Sequence, residues 1–486
     1  MTTEGTYPYI RGGVSVWCDH LVKRLPDVTY HIFAIVPSPK QPMCFQLPAN
    51  VASCRPFPLW GTALPGVQEA RFSKTYRRIL NTTSDVLERE FLPAFAQVLR
   101  GLLGTDDSSE RLASGLLALH EFFDSHDYAK AMQSPLAWSE FLKQTTAWYP
   151  SETPLTMEEA TISMRWLARY LAILAVPVQP VDVVHASMAG LAGVPGVLAK
   201  LRRGTPFLIT EHGIFLRELY LFLSRTDYPL NCRHFLFSLN RAIVRMNYAF
   251  ADQVTTLGDF NKMWQLRFGA EPRKITTVPN GVDPSVFQPR PELRPARPTV
   301  VTLARVFPLK GITVLLRAAA IVRQQMPDVN FRILGEKADE AYFAQCMAIV
   351  REHNLENNIE WGETSKPAEE LPKAHLFCLP SISEGMPFSI LEAMLCGLPV
   401  VATDVGNVAS VLGDKGILAR PNDPEDLARA LLELLAGPHA AERRDYLAQT
   451  GRERALADYT INTFTGMFRQ IYEELVECHA ETSPIA

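Results

Sequence analysis

Short apolar runs, each near a stretch with helical spacing, occur toward both ends of the chain. The run Tyr30–Val36 predicts a buried strand, and it follows a segment, Val14–Leu25, whose apolar residues recur on one helical face. After residue 298 the alternation is regular, with a predicted strand at Thr299–Ala304, a predicted helix at Ile312–Gln325 and further pairs beyond them. Strands that alternate with helices are typical of βαβ units, so the pattern predicts an α/β fold with parallel sheets.

The middle of the chain has a different pattern. From about residue 65 to residue 177 it is rich in Leu, Ala, Glu and Arg, and segments such as Asp85–Leu103 and Arg111–Phe123 have helical spacing. We interpret this part as a helical insertion in the first α/β half. Four prolines between Gln288 and Pro298 indicate a stiff linker. We therefore expect an N-terminal domain over 1–283, a C-terminal domain over 284–457, and a terminal helix and tail over 458–486.

Composition and charge exclude several classes of protein. Hydrophobic residues make up 47% of the chain and the net charge is −4, which excludes a mainly disordered chain and gives no sign of nucleic-acid binding. The eight cysteines include no C-x-x-C pair, so the signatures of zinc knuckles and redox sites are missing. The apolar run Tyr170–Val176 is far shorter than the roughly 20 residues that span a bilayer. We expect a cytoplasmic protein, and a peripheral position at the inner face of the membrane stays open.

The segment S-E-G-M-P-F-S-I-L-E, Ser383–Glu392, contains the first candidate site. Glu384 lies just past a predicted strand, and a helix predicted to begin at Ser389 offers free backbone N–H groups, which bind anions. The carboxylates of Glu384 and Glu392 flank these groups, as the hydroxyls and phosphates of a sugar diphosphate would require. The alternative is structural, because Ser389 and Glu392 also form the S-x-x-E pattern of a capping box.

The segment A-R-V-F-P-L-K-G, Ala304–Gly311, adds two cations. Arg305 is predicted at the end of a strand, and Lys310 at the start of the next helix. At the mouth of a parallel sheet such a pair suits a diphosphate, because arginine binds it as a fork and lysine as a point charge. The alternative is two exposed surface cations, the common situation for these residue types.

Three further motifs are candidates. His212, in T-E-H-G-I-F, follows a predicted strand and would donate to a substrate hydroxyl or carbonyl, or else be structural. Gly12 and Gly13, at the start of a predicted helix, would hold a phosphate or sugar through N–H groups, or else form a tight turn. Asn280 and Gly281 predict a turn with positive φ.

Together these motifs resemble the retaining glycosyltransferase family 4, which has the GT-B fold. Arg305 with Lys310, the E-x7-E from Glu384 to Glu392, P-N-G-V-D and the early Gly-Gly are the basis of the resemblance. The segments E-G-T-Y-P-Y-I-R-G-G, T-E-H-G-I-F and S-I-S-E-G-M-P, with the helical insertion, are similar to the Pel exopolysaccharide glycosyltransferase group. The resemblance implies two Rossmann-like domains that face a cleft, and a last helix, about residues 461–477, that crosses back to the first domain.

The resemblance also implies roles for the candidate residues. Arg305 and Lys310 would bind the donor diphosphate and stabilise its charge, Glu384 would hold donor-sugar hydroxyls, and His212 would face the sugar. The donor-binding residues would be Gly12, Gly13, Gly385, Met386, Pro387 and Glu392, the last of them on the ribose hydroxyls. No metal or other cofactor is implied. Same-face attack helped by the leaving diphosphate would retain the anomeric configuration, with electrostatic stabilisation of that diphosphate as the largest effect.

The resulting prediction is a metal-independent, retaining hexosyltransferase. It would transfer a hexose or N-acetylhexosamine from a UDP-sugar to a growing glycan in exopolysaccharide biosynthesis. Its partners would be the nucleotide sugar, the glycan acceptor and membrane proteins of a polysaccharide synthase complex, with no nucleic acid. Two alternatives stay open: an ADP- or GDP-sugar donor, as in a glycogen-synthase-like enzyme, and a catalytically silent GT-B subunit of a synthase complex.

The start of the chain gives one more expectation. E-G-T-Y-P-Y-I-R-G-G looks like the loop after the first strand of an α/β domain, but only Met1, Thr2 and Thr3 precede it. A strand in this place is normally central and buried on both faces. We expect sequence upstream of Met1 to supply about six to eight apolar, strand-forming residues. The alternatives are a short strand that the domain tolerates, or another segment in its place.

Overall fold

Two parallel sheets form the framework of the chain in a computed structural model, which describes residues 1–61, 72–104, 109–150 and 152–482. The chain divides into two units. The first unit comprises Met1–Thr256, Lys262–Thr276 and the chain from Arg469 onward, and the second comprises Leu257–Asn261 and Thr277–Phe468. The change of unit at residues 276–277 lies slightly before the expected boundary at 283–284, and the last helix contributes to both units.

The first sheet has a strand of only three residues near its centre. Its strand order is β3-β2-β1-β4-β5-β6-β7, with bounds β1 Thr2–Glu4, β2 Tyr30–Val36, β3 Val51–Pro58, β4 Val184–Ala186, β5 Phe207–Glu211, β6 Gln253–Thr256 and β7 Ile275–Thr277. The strand β1 pairs in parallel on both sides, with Thr2 opposite Phe33 on β2 and opposite Ala186 on β4. The loop that follows β1 therefore starts at the carboxyl edge of the sheet, where ligands bind in α/β folds.

The helices of the first unit include the predicted insertion. They are α1 Gly13–Arg24, α2 Phe72–Asn81, α3 Ser84–Val86, α4 Leu92–Leu102, α5 Ser109–Ser125, α6 Tyr128–Met132, α7 Pro135–Trp148, α8 Met157–Leu171, α9 Val194–Arg203, α10 Phe215–Leu223, α11 Leu230–Phe250 and α12 Asp259–Arg267, whose first turn belongs to the second unit. A π-helical turn, Leu87–Phe91, joins α3 to α4. The predicted helices at Asp85–Leu103 and Arg111–Phe123 are thus confirmed. Residues 65–71, 105–108 and 151 of the expected insertion lie outside the described residues.

The second sheet is buried on both faces. Its order is β10-β9-β8-β11-β12-β13, all parallel, with bounds β8 Thr299–Leu303, β9 Asn330–Leu334, β10 Ile359–Gly362, β11 Leu376–Leu379, β12 Val400–Thr403 and β13 Ile417–Ala419. Neighbouring residues point into different cores: Val300 and Val401 pack on one side, and Val301 and Val400 on the other. This two-sided burial explains why the strands appear in the sequence as continuous apolar runs.

The helices after residue 300 complete the second unit. They are α13 Ile312–Gln325, α14 Glu340–Glu352, α15 Pro367–Glu370, α16 Phe388–Leu395, α17 Val408–Leu412, α18 Pro424–Leu435, α19 Ala440–Asp458 and α20 Ile461–Thr482. Among the described residues, no helix is both long and apolar enough to span a bilayer. All eight cysteines are free thiols.

Candidate active site

The loop after β11 brings a carboxylate, a cation and a hydroxyl together. One carboxylate oxygen of Glu384, Oε1, accepts hydrogen bonds from Lys310 Nζ at 2.6 Å and from Ser381 Oγ at 2.6 Å. The Glu384 side chain is only 8% exposed and that of Lys310 25%, so the ion pair is partly shielded from water. Every hydrogen bond that the described residues make to this carboxylate goes to Oε1. The second oxygen, Oε2, is therefore the one that a ligand hydroxyl can reach.

Two glycines allow the chain to pass very close to this loop. Gly311 and Gly406 both have positive φ, about +62° and +60°, which favours glycine. A Cβ at Gly311 would lie 2.0 Å from the carbonyl oxygen of Pro380, and one at Gly406 would lie 1.9 Å from that of Glu384. Any side chain at either position would push the loop out of place.

Two asparagines fix the backbone of the same loop. Asn280 is buried, and its Nδ2 donates to the carbonyl oxygen of Met386 at 2.8 Å. Asn407 donates from its backbone N–H and from Nδ2 to the carbonyl oxygen of Gly385, at 3.0 and 3.2 Å. The predicted turn with positive φ at Asn280 and Gly281 is wrong, because neither residue has positive φ. The P-N-G-V-D motif instead supplies a tertiary hydrogen bond to the candidate site.

The helix α16 begins one residue earlier than predicted, and this excludes the capping box. Pro387 occupies the N-cap, with extended backbone, and no described side chain caps the helix. Ser389 is therefore the second helical residue. The first, Phe388, packs against the core of the second unit, and this tertiary contact overrides the local S-x-x-E pattern. The first backbone N–H groups of α16, which have no acceptor within the helix, follow directly on Gly385, Met386 and Pro387.

Glu392 lies in the second turn of α16 in an environment unlike that of Glu384. Burial raises the pKa of Glu392 to about 7. No hydrogen bond from the described residues reaches its carboxylate. At neutral pH, a carboxyl group with this pKa is about half protonated. Because no described residue donates a hydrogen bond to its oxygens, it can accept hydrogen bonds from ligand hydroxyls or donate one to them.

The two predicted cations occupy different environments. Lys310 ends a short 3-10 turn, Pro308–Lys310, one residue before the N-cap of α13, and its ion pair with Glu384 is inconsistent with a merely exposed cation. Arg305 lies two residues beyond the end of β8 and is exposed. Among the described residues, its guanidinium has no hydrogen bond or ion pair. Arg305 is thus free to turn toward a bound anion.

The remaining candidates lie in the first unit. Gly12 is the N-cap of α1, with an extended backbone at φ 171°, and a Cβ there would meet no atom within 4 Å. Neither Gly12 nor Gly13 has a left-handed backbone conformation, which does not support the tight-turn alternative. His212 follows β5, and its ring packs edge-on against Trp17 with centroids 4.6 Å apart. Burial lowers the pKa of His212 to about 3, so its imidazole is neutral at physiological pH. The ligand roles of these residues stay predictions.

Sequence reasoning missed several residues that build the site. Ser381 and Thr403 belong to this group: both are buried, and the Thr403 hydroxyl donates to the carbonyl oxygen of Ser381. Ser381 lies three residues before Glu384, a spacing that a search for local hydroxyl–carboxylate bonds could have found. The only sequence signal at Asn407 is that of a turn, because this residue follows Gly406. In the described part of the chain, no cluster of three or more His, Cys, Asp and Glu side chains could hold a metal ion.

Comparison with known families agrees with this architecture. Residues 1–273 match the family model described as Domain of unknown function (DUF3492). The chain belongs to the DUF3492 family. In this DUF3492 protein, residues 287–454 also match the model described as Glycosyl transferases group 1, so the part that holds Lys310, Glu384 and Glu392 is a glycosyltransferase group 1 domain.

Relatives of the DUF3492 protein match mainly over part of their length. An MMP alpha-(1->4)-mannosyltransferase of Mycolicibacterium hassiacum is 29% identical over 212 residues, which cover 43% of this chain and 50% of the relative. An Arabidopsis thaliana component of phosphatidylinositol N-acetylglucosaminyltransferase is 32% identical over 171 residues, 34% of this chain and 37% of the relative. The chain thus spans half or less of the length of these curated relatives.

Solved structures share the fold of the DUF3492 protein over nearly its whole length. Sucrose-phosphate synthase of Thermosynechococcus elongatus aligns with a TM-score of 0.61 at 17% identity, covering 98% of this chain and 99% of that one. HepE of Anabaena, solved with UDP and glucose, aligns with a TM-score of 0.58 at 15% identity, covering 97% and 98%. The predicted fold class, GT-B with two Rossmann-like parallel-sheet domains, is confirmed.

Proposed function

We propose that the protein is a retaining glycosyltransferase that moves a hexose or N-acetylhexosamine from a UDP-sugar to a growing glycan in exopolysaccharide biosynthesis. The observation that supports it most is the geometry at Glu384. One carboxylate oxygen is held by Lys310 and Ser381, and the other is open to a hydroxyl. This carboxylate lies at the carboxyl edge of a parallel sheet, four residues before a helix N-terminus suited to phosphate.

The proposed roles follow from these positions. The ammonium group of Lys310 would contact the donor diphosphate while still touching Glu384, and exposed Arg305 would turn onto the same anion. Both charges would stabilise the diphosphate as the glycosidic bond breaks, the type of effect that contributes most in many enzymes. The Oε2 atom of Glu384 would bind a sugar hydroxyl, and Glu392 the ribose.

The remaining parts of the proposal rest on the family resemblance. Attack on the same face as the departing diphosphate would retain the anomeric configuration, and the charge of the diphosphate would be met by protein groups without a resident metal. The sugar-transferase names of the partial relatives support a hexose or N-acetylhexosamine. Membrane proteins of a synthase complex are the proposed partners, in keeping with the similarity to the Pel group.

A donor panel tests the proposal. UDP-, ADP- and GDP-sugars are compared by thermal shift, starting with UDP-glucose because HepE was solved with it. A ligand at 100 times its Kd adds about 2.7 kcal/mol of stability. We expect a selective shift with a UDP-sugar, followed by acceptor-dependent release of UDP and a product with the donor's anomeric configuration.

Each other outcome changes a defined part of the proposal. A selective shift with ADP- or GDP-sugars replaces the donor. Binding without turnover for any oligosaccharide acceptor favours the silent GT-B component. An inverted product contradicts retention, and the absence of any shift contradicts donor binding altogether.

A further inference from the structure

The helix α2, in the helical insertion, has its apolar face on the outside. Its sequence is F-S-K-T-Y-R-R-I-L-N, and none of its residues is buried. Phe72, Tyr76, Ile79 and Leu80 recur at helical spacing and so form one face. Phe72 is 83% exposed and Tyr76 is 52% exposed, and their rings stack on each other. Ile79 and Leu80 are 40% and 56% exposed, so all four side chains are exposed to solvent in the part of the chain that the structure describes.

The polar side of α2 is the side that contacts the rest of the unit. Arg78 donates from Nε and Nη2 to the carbonyl oxygen of Asp124, at 3.3 and 3.2 Å. Asn81 Nδ2 donates to the carbonyl oxygen of Ser125 at 3.4 Å. An amphipathic surface helix normally buries its apolar side and leaves its polar side in water. Here polar anchors hold the helix so that the apolar side points away from the unit.

Helix α2 itself is positively charged. Helix α2 contains Lys74, Arg77 and Arg78 and no acidic residue. Lys130, on α6, reaches the helix through a hydrogen bond from Nζ to the carbonyl oxygen of Ile79 at 2.9 Å. The nearby carboxylate of Asp124 is already paired with Arg202 at 3.0 Å. The apolar face is thus accompanied by cations that no acid on the same helix offsets.

We propose that α2 is an interfacial helix that docks the protein on a membrane surface rich in anionic lipid. Phe72, Tyr76, Ile79 and Leu80 would enter the boundary between headgroups and acyl chains, while Lys74 and Arg77 would contact lipid phosphates. A polar face rich in Lys and Arg opposite Phe and Leu is the pattern of such helices.

The size of the face favours a membrane over a protein partner. A standard protein interface takes about 20 to 30 residues from each side, whereas this face consists of four side chains on a helix of ten residues. Four inserted side chains suffice for lipid, because each contributes by area and the cations add electrostatic attraction. The resulting association would be reversible and would weaken with salt.

Vesicle sedimentation with the full-length protein tests the proposal. The probes are vesicles of phosphatidylcholine alone and of phosphatidylcholine mixed equally with phosphatidylglycerol. We expect binding to the mixed vesicles, loss of binding at high salt, and little binding to the neutral ones. Tyr76→Ser together with Phe72→Ser should lower partitioning by about tenfold or more. Lys74→Gln with Arg77→Gln should lower it by about 25-fold, since each cation is worth about fivefold.

The chain offers a matched control for these variants. Tyr446 is a tyrosine of similar exposure, 55%, on α19 of the second unit, and Tyr446→Ser should leave partitioning unchanged. Circular dichroism confirms that each variant is folded. Equal binding to both kinds of vesicle by folded wild type and α2 variants would overturn the proposal, as would no binding at all. A folded wild type that binds no vesicle but self-associates through α2 would replace the membrane with a second copy of the chain.

Discussion

Glu384 and Glu392 are eight residues apart and lie in opposite environments. Glu384, in a loop, has one oxygen saturated by a lysine and a serine. Glu392, on α16, has no hydrogen bond from the described residues, and burial raises its pKa to about 7. The E-x7-E motif therefore contains one carboxylate that is oriented by an ion pair and one whose pKa is raised by burial. Spacing alone fixes neither environment, because each depends on groups far away in the sequence.

Among the changes that test this difference between Glu384 and Glu392, removal of Lys310 should have the largest effect on activity. Lys310→Ala leaves Glu384 in a shielded site without its counter-charge, so its surroundings come to resemble those of Glu392. We expect turnover to fall about 100-fold or more, the scale for loss of a preorganised charge stabiliser. Steady-state kinetics at saturating donor measures the change.

The control for this variant is Lys366→Ala. Lys366 also pairs with a glutamate, Glu369, but its side chain is 69% exposed, and exposed pairs contribute little. Its turnover should match the wild type. Unchanged turnover in Lys310→Ala would remove Lys310 from the proposed diphosphate site.

Glu392→Gln should separate the role of Glu392 in ligand binding from the loss of stability that its buried charge causes. A raised pKa means that the folded state holds a proton that the unfolded state has lost between about pH 4.5 and 7. Stability therefore falls as pH rises through this window, and the full cost is present above pH 7. Glutamine removes the charge, so above pH 7 the variant should be about 1 to 3 kcal/mol more stable than the wild type.

The same variant should bind UDP about 30-fold more weakly, because hydrogen bonds to a charged acceptor are stronger than those to a neutral one. Urea unfolding at pH 5 and pH 8 and calorimetric titration with UDP provide the two measurements. Wild-type affinity with raised stability would show that the carboxylate is only a buried group with no ligand.

Ser381→Ala tests whether the orientation of Glu384 matters. The variant loses a buried hydrogen bond to the carboxylate, and we expect turnover to fall about tenfold. Steady-state kinetics measures the turnover, and urea unfolding measures the accompanying loss of stability.

Thr403→Val is the matched control for Ser381→Ala. It also removes a buried hydroxyl from the same network, but that hydroxyl donates to a backbone carbonyl rather than to Glu384. It should lower stability by a similar amount without lowering turnover. Equal losses of turnover in the two variants would mean that Ser381 supports the fold and does not position the carboxylate.

The smallest expected effect is that of chelation. If Lys310 and Arg305 meet the charge of the diphosphate, an excess of EDTA should leave the rate of UDP release unchanged. The rate is measured before and after chelation and again after Mg²⁺ or Mn²⁺ is added back. A loss that a metal ion restores would contradict metal-independent transfer.

Local patterns predicted the buried, regular parts of the fold. The strand at Tyr30–Val36 and the helix at Ile312–Gln325 have the bounds that the sequence indicated, because their apolar residues face a core on the expected side. The strand β3, Val51–Pro58, was missed because only one of its residues is buried and it contains two prolines, which local rules assign to loops. Its position at the edge of the sheet tolerates both features.

The site was predictable only in part, and the failures have a common cause. The candidate residues Lys310, Glu384 and Glu392 could be selected by type and spacing. The turn at Asn280 and the capping box at Ser389 were local interpretations, and each was overridden by a contact distant in sequence. The Asn280 amide binds a carbonyl oxygen 106 residues away, and no window of neighbouring residues contains that information.

The close approach at Gly311 and Gly406 has a consequence for how mutational scans of this protein should be interpreted. Neither glycine offers a functional group to a ligand, yet replacement by any other amino acid should abolish activity as thoroughly as loss of Lys310. A scan scored by activity alone would place both glycines among the reactive residues. Scored also by abundance and by nucleotide affinity, they should separate from the chemical residues, because a Cβ at either position meets a carbonyl oxygen within about 2 Å. Intolerance to substitution in such a scan can therefore mean that two backbone segments lie very close together, and it does not by itself identify a residue that takes part in the reaction.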